Sequence, residues 1–214
     1  MTRVALIHAL ALSVAPVNAE FERQWPQALR MNLLDDSLSA DLACSPRGLD
    51  ETMTARFVAL ADYAVGTGAK GILFTCSAFG PCIDAVARRH AGLPVLKPNE
   101  AMIDEALALG GRIGLVATFG PTLASMPAEF PPGTALDTAL ADGALEALNR
   151  GDLETHDELA AQAAMVLAGR GCTVIALAQF SLARARQRVA ERTGLPVLTT
   201  VDTAVRRLRE RLGG

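Results

Sequence analysis

The residue with the clearest chemical potential in this sequence is Cys76, which stands in the run 71–80 (GILFTCSAFG). A related segment returns 103 positions later, and there Gln179 takes the place of the cysteine. A thiol can take or give a proton, whereas a carboxamide does neither at neutral pH. The pair therefore indicates a chemistry that a single thiol supports.

Cys76 is expected where a buried strand ends and a helix begins. Gly80 and Pro81 follow it, and proline favours the first turn of a helix. The positive end of that helix and the backbone N–H groups of Ser77 and Ala78 are suited to stabilising a thiolate or binding a carboxylate. The alternative is an inert packing residue, because free cysteine is among the most commonly buried residues.

The elements that position this thiol follow from an internal duplication. Residues 92–96 (GLPVL) return letter for letter as residues 194–198. Short β-branched or leucine-rich runs alternate with alanine-rich stretches of helical period, which favours βα units and parallel sheets. We therefore predict an α/β fold of two pseudosymmetric lobes, each a four-stranded parallel sheet flanked by helices, with the active-site cleft between the lobes.

The predicted lobes span residues 1–98 and 99–200, and the C-terminal helix, 201–214, is expected to pack back on the first lobe. The predicted strands are residues 4–8, 31–34, 71–75 and 95–96 in the first lobe, and 113–117, 135–137, 174–178 and 197–199 in the second. Helices are predicted at 50–65 and 152–168. Ligands of parallel α/β proteins collect beyond the carboxyl ends of the strands. Four segments are expected there, namely residues 8–13, 76–80, 118–122 and 179–181.

Composition excludes several classes of partner. The net charge is −3, and no basic block precedes the last helix, so no nucleic-acid partner is expected. No apolar run is long enough to span a bilayer, so no membrane partner is expected, and we interpret residues 1–19 as a first strand and not as a secretory signal. The four cysteines lack the spacing of a metal site, which predicts no metal and reduced thiols in a cytoplasmic protein.

Residues 74–78 (FTCSA) resemble the first cysteine motif of the aspartate/glutamate/hydantoin racemase superfamily. Residues 112–118 (RIGLVAT), with Thr122 after them, resemble the start of that family's second lobe. The resemblance covers nearly the whole chain. It implies lobes that each offer a cysteine to opposite sides of an acidic carbon, a small carboxylate or carbonyl-acid substrate, no cofactor, and a homo-oligomer.

The second cysteine motif of that superfamily is replaced here by residues 178–181 (AQFS), which disfavours two-thiol racemisation. The superfamily also resembles arylmalonate decarboxylase, in which one cysteine protonates a carbanion after carbon dioxide leaves. By that likeness Cys76 is the catalytic acid/base. The substrate-binding candidates that go with it are His8, Ser13, Ser77, Ala78, Thr118, Thr122, Gln179 and Ser181.

The resemblance favours a one-thiol decarboxylase, isomerase or lyase that transfers a proton next to a carboxylate or carbonyl. Two alternatives stay open. One is an amino-acid or hydantoin racemase with a non-cysteine second base, and the other is an inactive protein that binds small carboxylates.

Two histidines are candidates for acid/base chemistry, since histidine titrates near neutral pH. His8 closes the first strand and either points to the cleft or is satisfied by backbone groups. His156 lies in the first turn of the helix at 152–168, opposite Met53 in the repeat. It is either a catalytic group that replaces the missing thiol or a surface residue among charged neighbours.

Overall fold

The computed structural model describes residues 1–214, which form eight strands and ten α-helices. A single helix follows each strand, except that two helices follow the second and the sixth strands. The strands are β1 (Arg3–His8), β2 (Leu29–Leu34), β3 (Gly71–Phe74), β4 (Val95–Leu96), β5 (Ile113–Ala117), β6 (Leu136–Leu140), β7 (Val174–Leu177) and β8 (Val197–Thr199). The helices are α1 (Val14–Gln24), α2 (Ser37–Cys44), α3 (Glu51–Gly66), α4 (Gly80–Arg89), α5 (Glu100–Leu109), α6 (Gly120–Ser125), α7 (Ala144–Asn149), α8 (Leu153–Gly169), α9 (Arg186–Thr193) and α10 (Thr200–Arg211). No helix combines the length and the apolar character needed to cross a membrane.

The strands form two four-stranded parallel sheets with the same arrangement. The first has the order β2-β1-β3-β4 and the second has the order β6-β5-β7-β8. This repeated order confirms the predicted α/β class. The central strands β3, β5 and β7 are buried along their whole length, as expected for strands that are covered by helices on both faces.

The chain divides into two compact units. The first contains Met1–Glu100 together with Ala204–Gly214, and the second contains Ala101–Thr203. In the first unit α10 approaches β3 closely at Gly71. A Cβ atom at that position would lie 2.9 Å from the side-chain ends of Leu208 and Leu212. The absence of a side chain at Gly71 therefore lets the helix lie close to the strand.

An aromatic cluster in the first unit fixes the segment that follows β3. Phe57 of α3 stacks on Phe74 with ring centroids 5.4 Å apart, and it contacts Phe79 at 4.8 Å. All three rings are buried. Such pairs add to the stabilisation that burial alone provides. The core on this face of the sheet therefore holds both ends of the segment that carries Cys76.

The long helices α3 and α8 begin with the same N-terminal cap. The Asp50 carboxylate accepts a hydrogen bond from the Met53 N–H at 2.9 Å, and the Asp152 carboxylate accepts one from the Thr155 N–H at 3.1 Å. An aspartate at this position satisfies a backbone donor that the helix itself leaves unpaired. Each helix precedes a parallel strand, β3 or β7, so its capped first turn lies at the carboxyl edge of its own sheet.

Candidate active site

Cys76 lies directly beyond the carboxyl end of β3, in extended backbone. It precedes a short 3-10 turn, Ser77–Phe79, which leads into α4. The thiol is half-buried, whereas Ser77 and Ala78 are exposed. Cys76 is therefore accessible at the edge of the sheet where the sequence placed it.

Burial raises the pKa of the Cys76 thiol, and a backbone hydrogen bond from Ala78 opposes that change without outweighing it. The thiol borders a narrow apolar crevice. Its lining consists of Ile7, His8, Ala9, Leu38, Phe57, Phe74 and Cys76. Apolar surroundings disfavour the charged form of an acid. The expectation that backbone N–H groups after Cys76 stabilise a thiolate stays a prediction, because the Ala78 bond acts in that direction while burial acts more strongly against the charged form.

His8 is fully buried, and both of its ring nitrogens have partners. Its Nε2 lies 2.9 Å from Asn32 Oδ1, and its Nδ1 lies 3.0 Å from Thr75 Oγ1. Burial lowers the pKa of His8, although the hydrogen bond to Asn32 opposes this. The structure thus favours a neutral histidine held inside the fold, and its partners are side chains instead of the expected backbone groups.

Two serines lie at the same edge of the first sheet as Cys76. Ser13 is buried at the start of α1, but its side chain does not cap that helix. Ser77 is exposed in the turn after Cys76. The β1 and β3 strands are neighbours, so the loops that carry the two residues are adjacent. The first unit therefore gathers Cys76, Ser13, Ser77 and the backbone of Ala78 at one edge.

In the second unit, Gln179 and Thr118 contact each other directly. Gln179 Oε1 accepts hydrogen bonds from the Thr118 N–H at 2.6 Å and from the Thr118 hydroxyl at 3.0 Å. A backbone N–H can be paired only by the oxygen of the carboxamide, so the amide group must be oriented with its NH₂ directed elsewhere. This contact fixes the direction of the Gln179 NH₂ group, which can donate hydrogen bonds elsewhere. The hydroxyl of Thr118 is already engaged by the Gln179 oxygen.

Thr122 and Ser181 lie at the same edge of the second sheet as Gln179. Thr122 is in the first turn of α6, where its N–H donates to the Phe119 carbonyl at 3.0 Å. Ser181 is in the 3-10 turn that follows β7. Both residues are half-buried. They are positioned as additional hydrogen-bonding groups beside Gln179.

His156 is fully buried, so its interpretation as a surface residue is wrong. Its Nδ1 lies 2.7 Å from Asp157 Oδ1, and Asp157 in turn is bound by two nitrogens of Arg184. Its Nε2 has no partner. The charged neighbours of His156 concealed a helical spacing that it shares with Ala160 and Leu167, both of which are buried. That spacing was the available signal for burial.

The remaining cysteines do not supply a second acid at these edges. Cys172 lies before β7, at the amino end of the strand, with its sulfur 3.8 Å from Asp137 Oδ2. Cys82 is buried in α4 and lies 3.5 Å from the Thr54 hydroxyl. Cys44 is exposed at the end of α2. No three His, Cys, Asp or Glu side chains are grouped so that they could hold a metal ion.

Sequence reasoning missed the large apolar side chains that are exposed on the strand-end loops. Leu10 and Leu12, after β1, are 45% and 59% exposed, and Phe119, after β5, is 48% exposed. The signal was present in the sequence, because apolar residues stand there between a strand and a helix, where polar loop residues are usual.

Comparison with known proteins places this arrangement in a family. The family model described as Asp/Glu/Hydantoin racemase matches residues 17–208. The chain belongs to this family. No match was found among curated proteins.

Solved structures share the fold of this chain at low sequence identity. An aspartate racemase homologue from Pyrococcus horikoshii has a TM-score of 0.75 and 15% identity, with 100% of both chains covered. Glutamate racemase from Bacillus anthracis has a TM-score of 0.71 and 14% identity, with 99% of this chain and 82% of the other covered. Unliganded arylmalonate decarboxylase has a TM-score of 0.69 and 20% identity, with 100% of this chain and 94% of the other covered. Racemases and a decarboxylase are thus built on this fold.

Proposed function

We propose that the protein is a cofactor-independent enzyme that transfers a proton at the carbon next to a carboxylate or carbonyl, with Cys76 as its acid/base. A one-thiol decarboxylase, isomerase or lyase is the form of this function that we favour. The observation that carries the proposal is the single accessible thiol at the carboxyl edge of the first sheet, with Gln179 at the corresponding place in the second.

The raised pKa of Cys76 supports the role of proton donor. In a decarboxylation, the bond between the reacting carbon and the departing carboxylate breaks, and its electron pair stays on the carbon. The S–H bond of Cys76 then breaks as a new C–H bond forms. The thiolate that is left accepts the hydrogen bond from Ala78 until it takes a proton from water.

The negative charge that develops on the substrate must be stabilised by fixed donors, which is typically the largest single contribution to such catalysis. We assign this role to the hydroxyls of Ser13 and Ser77 and the backbone N–H of Ala78. We assign Gln179, Ser181 and Thr122 as further donors to the substrate, with Thr118 acting through Gln179. For His8 the buried, fully paired ring supports positioning of the β1 end and not direct contact with substrate.

Racemisation with a non-cysteine second base is the second candidate. The observation that favours it is His156, whose Nδ1 lies 2.7 Å from Asp157 Oδ1 and whose buried Nε2 has no hydrogen-bond partner. A carboxylate accepts from an N–H at Nδ1, so the neutral imidazole would offer the lone pair of Nε2 as a base. This candidate requires that the buried imidazole become reachable by the substrate or by a water molecule.

Solvent deuterium incorporation tests the proposal. The wild-type protein and the Cys76→Ala variant are incubated in D₂O with substituted malonates, amino acids, hydantoins and hydroxy acids, and the products are followed by NMR. We expect deuterium at the reacting carbon with the wild type and none with Cys76→Ala. Cys44→Ala, which removes an exposed thiol, is the matched control and should retain the reaction.

The product identifies the reaction. Loss of one carboxylate indicates a decarboxylase, and change of chirality without loss of mass indicates a racemase. Loss of the racemising activity in His156→Asn with retention of exchange would assign His156 as the second base. Equal deuterium incorporation by wild type and Cys76→Ala would refute the role of Cys76. No incorporation across the panel would favour a protein that binds small carboxylates without turning them over.

A further inference from the structure

The carboxyl edge of the first sheet carries exposed apolar side chains beside Cys76. Leu10 and Leu12 follow β1, and Leu34, which is 45% exposed, ends β2. These strands are neighbours of each other or of β3. Single exposed apolar residues are common, but a group of them at one place is typical of a surface that binds a ligand or another protein. The group lies where the proposed chemistry takes place.

The loops after β1 and β3, which flank the thiol, contain no charged residue, whereas Asp35 and Asp36 follow β2 at the same edge. Residues 9–13 and 76–80 include no Asp, Glu, Lys or Arg. The cations that lie in the chain near the carboxyl ends of β2 and β4 are already paired, and one of them, Lys97, lies 2.7 Å from Asp84. Arg56 is bound by Asp35 at 2.7 Å and by Asp41 at 2.6 Å, and Arg47 is bound by Asp50 at 2.9 Å. An anionic substituent on the substrate would therefore lose water without gaining a counter-charge, which is costly.

The second unit shows the same character at the carboxyl edge of its own sheet. Residues 118–122 and 178–182 contain no charged residue, and the arginines that follow, Arg184 and Arg186, are paired with Asp157 and Asp202. Phe119 is 48% exposed, and Leu140 at the end of β6 is 42% exposed. The donors at this edge are neutral groups such as the amide of Gln179. The edges of the two sheets thus share exposed apolar side chains and neutral donors.

We infer that the substrate of the Cys76 site carries an uncharged, apolar substituent on its reacting carbon, where aspartate or glutamate carries a charged one. This inference rests on the proposed function, since it names the substrate class of the same site. The carboxylate of the substrate is held by neutral donors, namely Ser13, Ser77 and the Ala78 N–H. The substituent lies against Leu10 and Leu12, where it removes apolar surface from water.

A matched pair of ligands tests the substrate class. Isobutylmalonate and carboxymethylmalonate share the same head group, and they differ in whether the substituent is apolar or charged. Each is tested for its ability to slow the alkylation of Cys76 by iodoacetamide, followed by mass spectrometry. We expect isobutylmalonate to protect Cys76 at a concentration about tenfold or more below that required of carboxymethylmalonate.

A pair of variants tests the location of the substituent. Leu12→Arg places a cation at the apolar edge, and it should weaken protection by isobutylmalonate about tenfold and strengthen protection by carboxymethylmalonate. Leu29→Arg is the control. Leu29 is 43% exposed at the amino end of β2, on the opposite edge of the same sheet, so this variant should leave both values unchanged.

Deuterium incorporation, measured in parallel, separates this inference from the proposed function. Protection by isobutylmalonate without any exchange would uphold the substrate class and refute the proton transfer. Equal or stronger protection by carboxymethylmalonate would overturn the substrate class, even if exchange with it upheld the proton transfer. Absence of protection by either ligand would also overturn the inference. If the molecular mass measured by analytical ultracentrifugation then falls in Leu12→Arg, the apolar edge is assigned to contact with a second copy of the chain.

Discussion

The contact between Gln179 and Thr118 allows the structural and the chemical roles of Gln179 to be measured separately. Gln179→Leu removes both the oxygen that pairs Thr118 and the nitrogen that we assign as a donor to substrate. Gln179→Glu keeps two oxygens as acceptors for Thr118 but has no nitrogen. Thr118→Val removes the hydroxyl bond and leaves the backbone bond in place.

The expected effects on stability follow from burial. Thr118 is 7% exposed, so in Gln179→Leu its backbone N–H loses its partner inside the fold. An unpaired buried donor costs about 1 to 3 kcal/mol, whereas a typical hydrogen bond contributes about 0.5 to 1.5 kcal/mol. We therefore expect Gln179→Leu to lower the free energy of unfolding by about 1 to 3 kcal/mol and Thr118→Val to lower it by about 1 kcal/mol. Gln179→Glu should stay close to the wild type, because a carboxylate accepts both bonds.

Urea unfolding followed by circular dichroism measures these differences, and deuterium incorporation measures the reaction. Activity should fall strongly in both Gln179→Leu and Gln179→Glu, since neither variant has the donor. It should fall only modestly in Thr118→Val, which keeps the backbone bond that orients the amide. Full activity in Gln179→Glu would refute the assignment of the Gln179 nitrogen as a donor. Wild-type stability in Gln179→Leu would show that the contact with Thr118 contributes nothing to the fold.

Three further predictions follow from individual groups. Because burial lowers the pKa of His8, the unfolded chain binds a proton first as the pH falls below about 6.5. Stability should therefore decrease through this range, and His8→Gln should show a weaker decrease in urea titrations at a series of pH values. Because burial raises the pKa of Cys76, iodoacetamide should react with it more slowly than with the exposed Cys44 at neutral pH, and the rate should rise steeply only in alkaline solution; faster reaction at Cys76 would contradict the protonated thiol. Asp50→Ala should destabilise α3 by about 1 kcal/mol, whereas Asp50→Ser should retain most of the cap, as thermal unfolding can establish.

The fold could be predicted closely from the sequence because its strands are short apolar runs that occur twice. The predicted bounds of β4, β5 and β8 coincide with those observed. Strand β6 extends to Leu140, three residues beyond its predicted end, because its alternating, partly exposed pattern is weaker than that of the buried strands. The repeat identified the strands along the chain. Because the sheets are parallel, the positions of the strands determine which residues lie at the carboxyl edges.

The electrostatic state of the site could not be predicted in the same way. The pKa of Cys76 depends on packing by Phe57 and Leu38, which are distant in sequence and belong to other helices. The bond between Gln179 and Thr118 joins residues 61 positions apart. Charged neighbours in sequence suggested an exposed His156, although helical spacing places it in the core. Local composition indicates which residues are near an edge, whereas protonation and hydrogen bonding depend on contacts that only the folded chain brings together.

The two sheets have the same strand order, yet one strand-end position holds a thiol and the other a carboxamide whose oxygen is fixed by Thr118. A pair of like halves suits a reaction whose forward and reverse directions are mirror images. With a thiol at this position on only one half, that mirror relation is lost. A product formed by proton delivery from Cys76 would have one configuration at the new C–H bond. The optical purity of the product, and not only the reaction rate, would then depend on the thiol being in one half and the carboxamide in the other.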